Sequence, residues 1–547
     1  MFKKICVVFS LLFIFIAWLI PVHESPWVTF LNETFAFLSL ISLILFFKDT
    51  TVLVPKILLP IITIAFIPLI QYFLGIEYYF ETAFLCFLYL CSVFLATIIG
   101  FNFADEMYKD KTELFFSWIL LLAGVLSSLF SITQWLNLEN NIIFISTLSG
   151  NRPYGNFSQP NNMATFLIFS FLSLLFLNYK EKINGSLLYF LGTLILFSIA
   201  LTFSRTAWLQ LAFIISIILF FSKNTKKNSL IFFSLFFIIS LFTIPHISHS
   251  LSYWGLGVGS SNTLAERLTT GNLRLGIWKQ MLIAIFNNPW FGYGWDQTII
   301  AQTQAAKIFY HGEQTKSAHN IILDLLVWNG IIVGGGIVIY AIFLIKKIIF
   351  DNFSNLFFKL IIICFFVHTL LEYPQNYSFF LLPIFFLFGF LLRGNKNLLF
   401  FEISNKITLL VFFIAITLTG GIVRDYMNMR YILLSYDSND YKSGKIKEKL
   451  IFLDKINSLI SWILFDKSSA INDSDFNNLR KFIEISPSEY NLVNFIKLLI
   501  RSGRVDDGEK YYKILYDLYH VNYTYDDIYK SVKNNKPIRM NENSEKR

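Results

Sequence analysis

For most of its length the chain alternates long apolar runs with short polar connections, and the runs are of membrane-crossing size. A helix needs about 20 apolar residues to traverse the hydrocarbon core of a bilayer. Such runs fall at 5–21, 28–47, 52–74, 80–101, 114–136, 162–178, 186–203, 206–221, 229–245, 320–345, 356–372, 377–393 and 406–424. The pattern predicts an all-α polytopic membrane protein with about 12–14 transmembrane helices, 186–221 forming a tight helical hairpin. The first run, behind Lys3 and Lys4, has no small-residue cleavage site and reads as a retained span.

Two stretches break the alternation. A polar loop over 246–319 is far longer than a connector requires, and loops of that length are usually functional. Past Arg424 the composition shifts to mixed charge, Asn, Ser and Tyr, and the apolar period becomes amphipathic over 445–465 and 488–519. A Gly turn at Gly503 makes the latter look like one tetratricopeptide-type hairpin, and a single pair cannot stack into a solenoid. The expected organisation is a transmembrane domain over 1–424 that includes the loop, a small helical domain over 425–532, and a polar, disordered end over 533–547.

Composition narrows the class. Only 15% of the residues are charged, against about 25% in a soluble domain. A net charge of +9 would point to nucleic acid in a soluble protein, but here the lysines lie between spans and act as topology signals. Alternate connections carry Lys48 and Lys56, Lys109 and Lys111, Lys180 and Lys182, Lys223 to Lys227, Lys346 to Lys359, and Arg393 to Lys406. That side, with the N-terminus, is expected to be cytoplasmic; the 246–319 loop and the tail are expected outside. All four cysteines lie in apolar runs without CxxC or Cys/His spacing, so neither a disulfide framework nor a metal site is expected.

Most candidate chemistry then falls on the outer side. Arg205, in "LTFSRTAWLQ", breaks the positive-inside rule, and a guanidinium fork there suits an anion such as a phosphate; the plain alternative is an arginine snorkelling to headgroups. Arg152 lies in "SGNRPYGNFSQPNNMATFL", whose Asn156, Gln159, Asn161 and Asn162 offer amides for sugar hydroxyls, or simply for turns and helix caps. Arg267 and Arg274 are the arginines of the long loop, and Trp278, Trp290, Tyr293 and Trp295 suit either a membrane interface or a sugar face. His319, in "KSAHNIILDLL" before an apolar helix, is placed to act as a general base on a hydroxyl, although His246, His249 and His311 share the loop. His368 and Glu372, four residues apart at a span end, and the neighbouring Tyr373 complete the set.

"SRTAW" at 204–208, Arg274 with Trp278, Pro289, Gly292 and Gly294, and "SAHN" with "WNGIIVG" at 328–334 resemble the O-antigen ligase and polymerase superfamily. Within it, "NFSQPNNMATFL" at 156–167, "HTLLEYPQNY" at 368–377 and the soluble tail resemble the PglL-type bacterial protein O-oligosaccharyltransferases. Asn162 and Gln375 depart from residues common in relatives. The resemblance implies transfer of an oligosaccharide from an undecaprenyl-diphosphate carrier to Ser or Thr hydroxyls of a pilin or periplasmic lipoprotein. It implies a multi-pass protein of the bacterial inner membrane with its active site and tail in the periplasm. It implies an arginine pair gripping the diphosphate, which maps to Arg205 and Arg274, and a loop histidine near the acceptor, which maps to His319 as base; Arg152, read from its own surroundings, is expected to join the diphosphate site. Asn156, Gln159, Asn161, Glu372 and Tyr373 would face glycan or acceptor, with no metal or other cofactor required. A ligase or polymerase with a glycan acceptor would use the same site. A lipid-linked-oligosaccharide flippase, the alternative of another class, should show repeat symmetry, and no internal repeat is evident.

Overall fold

The computed structural model describes residues 1–221, 227–258, 272–349, 356–395, 397–435, 450–468 and 470–534. Each apolar run of the sequence contains a helix, although the run expected over 52–74 opens with four residues of strand: α1 (Phe2–Leu19), α2 (Phe30–Phe46), α3 (Leu59–Phe73), α4 (Phe80–Phe103), α5 (Lys109–Trp135), α6 (Pro160–Tyr179), α7 (Gly185–Leu201), α8 (Arg205–Phe221) and α9 (Lys227–Tyr253). The long loop contributes α10 (Asn272–Asn287) and α11 (Thr298–Ala306), and α12 (Ile321–Ile349), α13 (Leu356–Thr369), α14 (Ser378–Leu392) and α15 (Asn405–Ser435) follow. The tail holds α16 (Asp454–Leu464), α17 (Asp473–Ile485), α18 (Glu489–Arg501), α19 (Val505–Tyr519) and α20 (Tyr525–Asn534). The chain is thus an all-α polytopic membrane protein. Among the described residues eight helices are long and apolar enough to cross a membrane, and the other expected spans are apolar helices of 10–17 residues. Helix dominates because a bilayer core offers no water to backbone groups.

Several boundaries differ from expectation, among them the last span, which runs on past Arg424 to Ser435. The loop does not begin at residue 246, because α9 continues through Pro245 to Tyr253 and carries His246 and His249 on helix; Ser250 and Ser252 return their hydroxyls to the His246 and His249 carbonyls. In the tail, the helix expected from residue 445 starts at Asp454. Arg267 and residues 535–547 lie outside the described residues.

The chain packs as two compact units. The first comprises Met1–Ile62, Tyr89–Thr270 and Ile342–Thr419. Its centre is α6, buried along almost its whole length, as befits a helix that is apolar all round. Gly100 of α4 lies against the backbone of Phe386 and Gly389 of α14 against that of Thr97, so a methyl at either would collide with main chain. Such small residues let membrane helices approach closely. The strands β1 (Val52–Pro55) and β2 (Phe400–Ile403) pair antiparallel, Val52 opposite Ile403.

The second unit comprises Thr63–Leu88, Gly271–Ala341 and Gly420–Arg547. The tail helices close on a core of Leu479, Phe482, Ile483, Leu492, Phe495, Leu499, Tyr511 and Leu515, and Ala306 of α11 joins it. Each such large side chain contributes about 1.5–3 kcal/mol by leaving water. The tail is also tied to the start of α4. Both oxygens of Asp454 accept from the Phe80 and Glu81 amides (3.1 and 2.7 Å), and Glu81 in turn accepts from the Ile456 amide at 3.0 Å. Two helices thereby cap each other's N-termini, where unpaired N–H groups and the helix dipole favour carboxylates. Glu77 stands beside this joint with its own oxygen on the Tyr78 and Tyr79 amides, and burial pushes its carboxyl up to about 8.

Candidate active site

In the first unit, the loop before α6 is shaped from within. Gln134 of α5 accepts from the Tyr154 and Gly155 amides (3.0 and 2.8 Å) and donates to the Ser146 and Gly155 carbonyls. Asn156, 1% exposed, accepts from the Ser146 amide and donates to the Leu19 and Phe144 carbonyls. An irregular segment has to pair its backbone somehow, and Asn156 is spent on that task rather than presented at a surface. Gln159 is the residue before α6 and lends no side-chain bond to the helix end.

Arg152 and Asn161 are brought together. The Arg152 guanidinium donates to the Thr202 carbonyl (2.7 Å) and to Asn161 Oδ1 (3.2 Å), and Asn161 Nδ2 donates to Glu372 Oε1 at 2.7 Å. This chain of contacts ties the 151–161 loop to the α7–α8 turn and to the span end at Glu372, which is 3% exposed. Arg205 opens α8 immediately beyond that turn. Ser204 Oγ accepts from the Ala207 amide there, so the guanidinium starts at a helix N-terminus, half-buried. The turn is strained, with Phe203 at φ 46, a region that bulky residues rarely occupy; Ser158 of the 151–161 loop is left-handed as well, at φ 57. Tyr373 and Tyr377 meet at a tilt, ring centroids 6.2 Å apart and planes inclined by 42°.

In the second unit, His319 sits in a pinned loop. Its backbone is left-handed, φ 51, a conformation costing about 1–2 kcal/mol in a side-chain-bearing residue. Asp324 of α12 holds it there. One carboxylate oxygen accepts from the Ala318 amide (2.8 Å) and the Thr298 hydroxyl (2.9 Å), the other from the Ser317 hydroxyl (2.7 Å), which itself accepts from the His319 amide (3.1 Å). Trp278 Nε1 donates to the Ala318 carbonyl at 2.9 Å. Arg274 lies one turn before Trp278 on α10, so its helix face is the one that meets the His319 loop. Asn320 accepts from the Ile322 and Leu323 amides and starts α12.

The Gly-aromatic segment pairs with α12, the helix that carries Asp324, and α11 with the loop itself. Tyr293 and Gly294 donate their amides to the Val327 and Trp328 carbonyls, and Ile331 donates to the Pro289 carbonyl across the break at Gly330 (φ 73). Gln302 of α11 accepts from the Thr315 amide (2.9 Å) and donates to the Glu313 carbonyl (2.7 Å).

Asp324 and Thr298, which hold the His319 loop, are not part of any motif in the sequence. The available signal was a lone carboxylate one turn into an apolar run, which a membrane helix does not carry without cause. Among the described residues no group of three or more His, Cys, Asp and Glu is placed to hold a metal.

Residues 189–341 match the family described as "O-Antigen ligase", and residues 357–526 the one described as "Virulence factor membrane-bound polymerase, C-terminal". The chain is 31% identical over 526 residues to a protein of Acinetobacter baylyi named General O-oligosaccharyltransferase, covering 94% of this chain and 92% of that one. A second protein of that organism, named ComP-specific O-oligosaccharyltransferase, is 31% identical over 419 residues, 74% of this chain and 75% of its own. No solved structure matches.

Proposed function

Because this chain belongs to the O-oligosaccharyltransferase family and is a membrane glycosyltransferase that transfers glycans to protein, we propose that its donor is an undecaprenyl-diphosphate-linked oligosaccharide and its acceptor a Ser or Thr hydroxyl of a pilin or periplasmic lipoprotein. The reaction takes place at the periplasmic face of the inner membrane, the side assigned by the lysine-poor connections. His319 takes the proton from the acceptor hydroxyl as its oxygen forms a bond to the anomeric carbon. The anomeric C–O bond to diphosphate breaks, and the charge left on the lipid diphosphate is held by Arg205 and Arg274, with Arg152 beside Asn161 and Glu372. Direct attack inverts the anomeric configuration. Proton transfer of this kind contributes about 10²–10⁴-fold, and one preorganised donor to a developing anion about 3 kcal/mol. Diphosphate is already a good leaving group, so no metal or other cofactor is required and a chelator leaves the rate unchanged.

The observation that most supports this reading is the strained His319 backbone, fixed by Ser317, Asp324 and Trp278. A protein that spends strain on holding one imidazole usually does so where chemistry occurs. Reconstitution with lipid-linked glycan and a candidate acceptor tests it through a mass shift on the acceptor. His319→Gln should lower transfer at least about 100-fold with the fold intact. Arg205→Lys, which loses the guanidinium fork, should lower it about 10-fold or more. Transfer untouched by both substitutions overturns the assignment.

A further inference from the structure

Beside the loop helix α11, within the second unit, lies a cavity of about 330 Å³ walled by α11, α17 and α19 and by Tyr78. Its lining mixes apolar side chains, among them Ile300, Ile514 and Leu492, with charges of both signs. Glu484 is already engaged, one oxygen accepting from the Tyr78 hydroxyl and the other from that of Tyr511, both at 2.8 Å. Two other lining side chains each carry one atom without a partner. Arg480 Nε and Asp517 Oδ2 are shielded from solvent, and neither has a hydrogen-bond partner among the described residues. A buried polar atom left unpaired costs about 1–3 kcal/mol, so a guanidinium and a carboxylate that each keep one unpaired atom and line the same cavity favour an occupant able to hydrogen-bond with both.

We propose that this cavity is a docking site for an acidic, extended peptide segment of the acceptor protein. A peptide backbone supplies partners for both lining groups: carbonyls for the Arg480 guanidinium and N–H groups for the Asp517 carboxylate. Lys307, Lys510 and Lys513 outnumber the remaining acidic group on the lining, which favours acidic side chains. The apolar walls take aliphatic side chains, for which a glycan has no counterpart.

The position of α11 gives such docking a purpose. Ile300, Thr303, Gln304 and Lys307 line the cavity from one helix face. Thr298 and Gln302, on the opposite face, hold Asp324 and the 313–315 segment of the His319 loop. A helix is about 10–12 Å across, so a docked segment lies roughly that far from the loop, and a hydroxyl a few residues along an extended chain can reach it.

This inference rests on the proposed protein acceptor, and the test is a binding measurement that needs neither donor nor transfer. The full-length protein in lipid nanodiscs is titrated with a short labelled peptide alternating Glu, Ser and Ala, with a counterpart carrying Lys for Glu, and with a free neutral oligosaccharide as competitor. The acidic peptide should bind at least tenfold more tightly than the basic one. Arg480→Gln and the pair Lys510→Glu with Lys513→Glu should each weaken it tenfold or more. Lys510 and Lys513 are exposed, so their exchange leaves the melting temperature in place and keeps the test valid should Arg480→Gln misfold. Equal binding of the two peptides, or indifference to the lysine pair, overturns the proposal. Displacement of the peptide by the oligosaccharide overturns it in favour of a glycan subsite. A protein that binds the acidic peptide through these residues yet transfers no glycan refutes the proposed reaction and leaves the docking site standing.

Discussion

Replacing Asp324 with Asn is the sharpest probe of how the His319 loop works. Asp324 is fully buried and its carboxylate accepts three hydrogen bonds, from Ala318, Thr298 and Ser317. Asn keeps the shape. Ser317 can turn its hydroxyl to accept from the new amide, so the change leaves no clash. What disappears is the charge. Charge-assisted bonds contribute about 1.5–3 kcal/mol each against about 1 for neutral ones, and a carboxylate also suits the first turn of α12. The loop therefore loses roughly 2 kcal/mol of the restraint that offsets the left-handed backbone at His319. At about 1.36 kcal/mol per tenfold, transfer should slow by roughly 30-fold. Because Asp324 acts by positioning, the loss belongs in kcat, with KM for donor and acceptor little changed. In a His319→Gln background Asp324→Asn should cost nothing more, since groups that act as one unit are not additive. The assay is single-turnover transfer in nanodiscs, with melting temperatures to confirm folding. The reasoning fails if a folded Asp324→Asn protein transfers at the parental rate, or if its loss is undiminished without His319.

Three further outcomes follow from the structure. Arg152→Lys replaces a fork that bridges the Thr202 carbonyl and Asn161 with a single charge; donor KM should rise about tenfold, and an unchanged KM would make the bridge dispensable. Gly330→Ala should cost about 2–4 kcal/mol and remove most folded protein in fluorescence-detected size exclusion, because φ is 73 and the new methyl meets the Pro289 and Trp290 carbonyls; Gly335→Ala, with open space around it, is the control. For Glu77, burial raises the folded carboxyl to about 8 from its ordinary value near 4.5. Its contribution to stability is complete below about pH 4.5 and is lost as pH climbs through about 8. Melting of the parent should therefore fall across that window, and Glu77→Gln should flatten the fall; parallel curves would exclude Glu77 as its source.

The membrane architecture was legible in the sequence because lipid imposes one solution on an apolar run, and each expected run contains a helix; the strand at Val52–Pro55 was not foreseen. Candidates for chemistry stood out only where a residue broke a rule of its surroundings, as Arg205 does on the lysine-poor side. Asn156 misled because amide density before a span has two causes, sugar binding and the pairing of irregular backbone, and composition cannot separate them. Asp324 was hidden by its neighbours: within "NIILDLLVW" it looks like a blemish in a helix, and its purpose emerges only when Ser317 and Thr298 fold back onto it. The helix caps at Glu81 and Asp454 join positions 373 residues apart, and no local pattern announces such a pairing.

Those reciprocal caps bear on how the protein is dissected. Shortening the chain to its membrane portion would strip the Phe80 and Glu81 amides of their acceptor and strand a desolvated acid at the head of a span. A truncated protein that fails to work would then report damage within the membrane helices, whatever the missing domain does for substrates. Single side-chain exchanges are the informative route, because the two ends of this polypeptide complete one another's secondary structure.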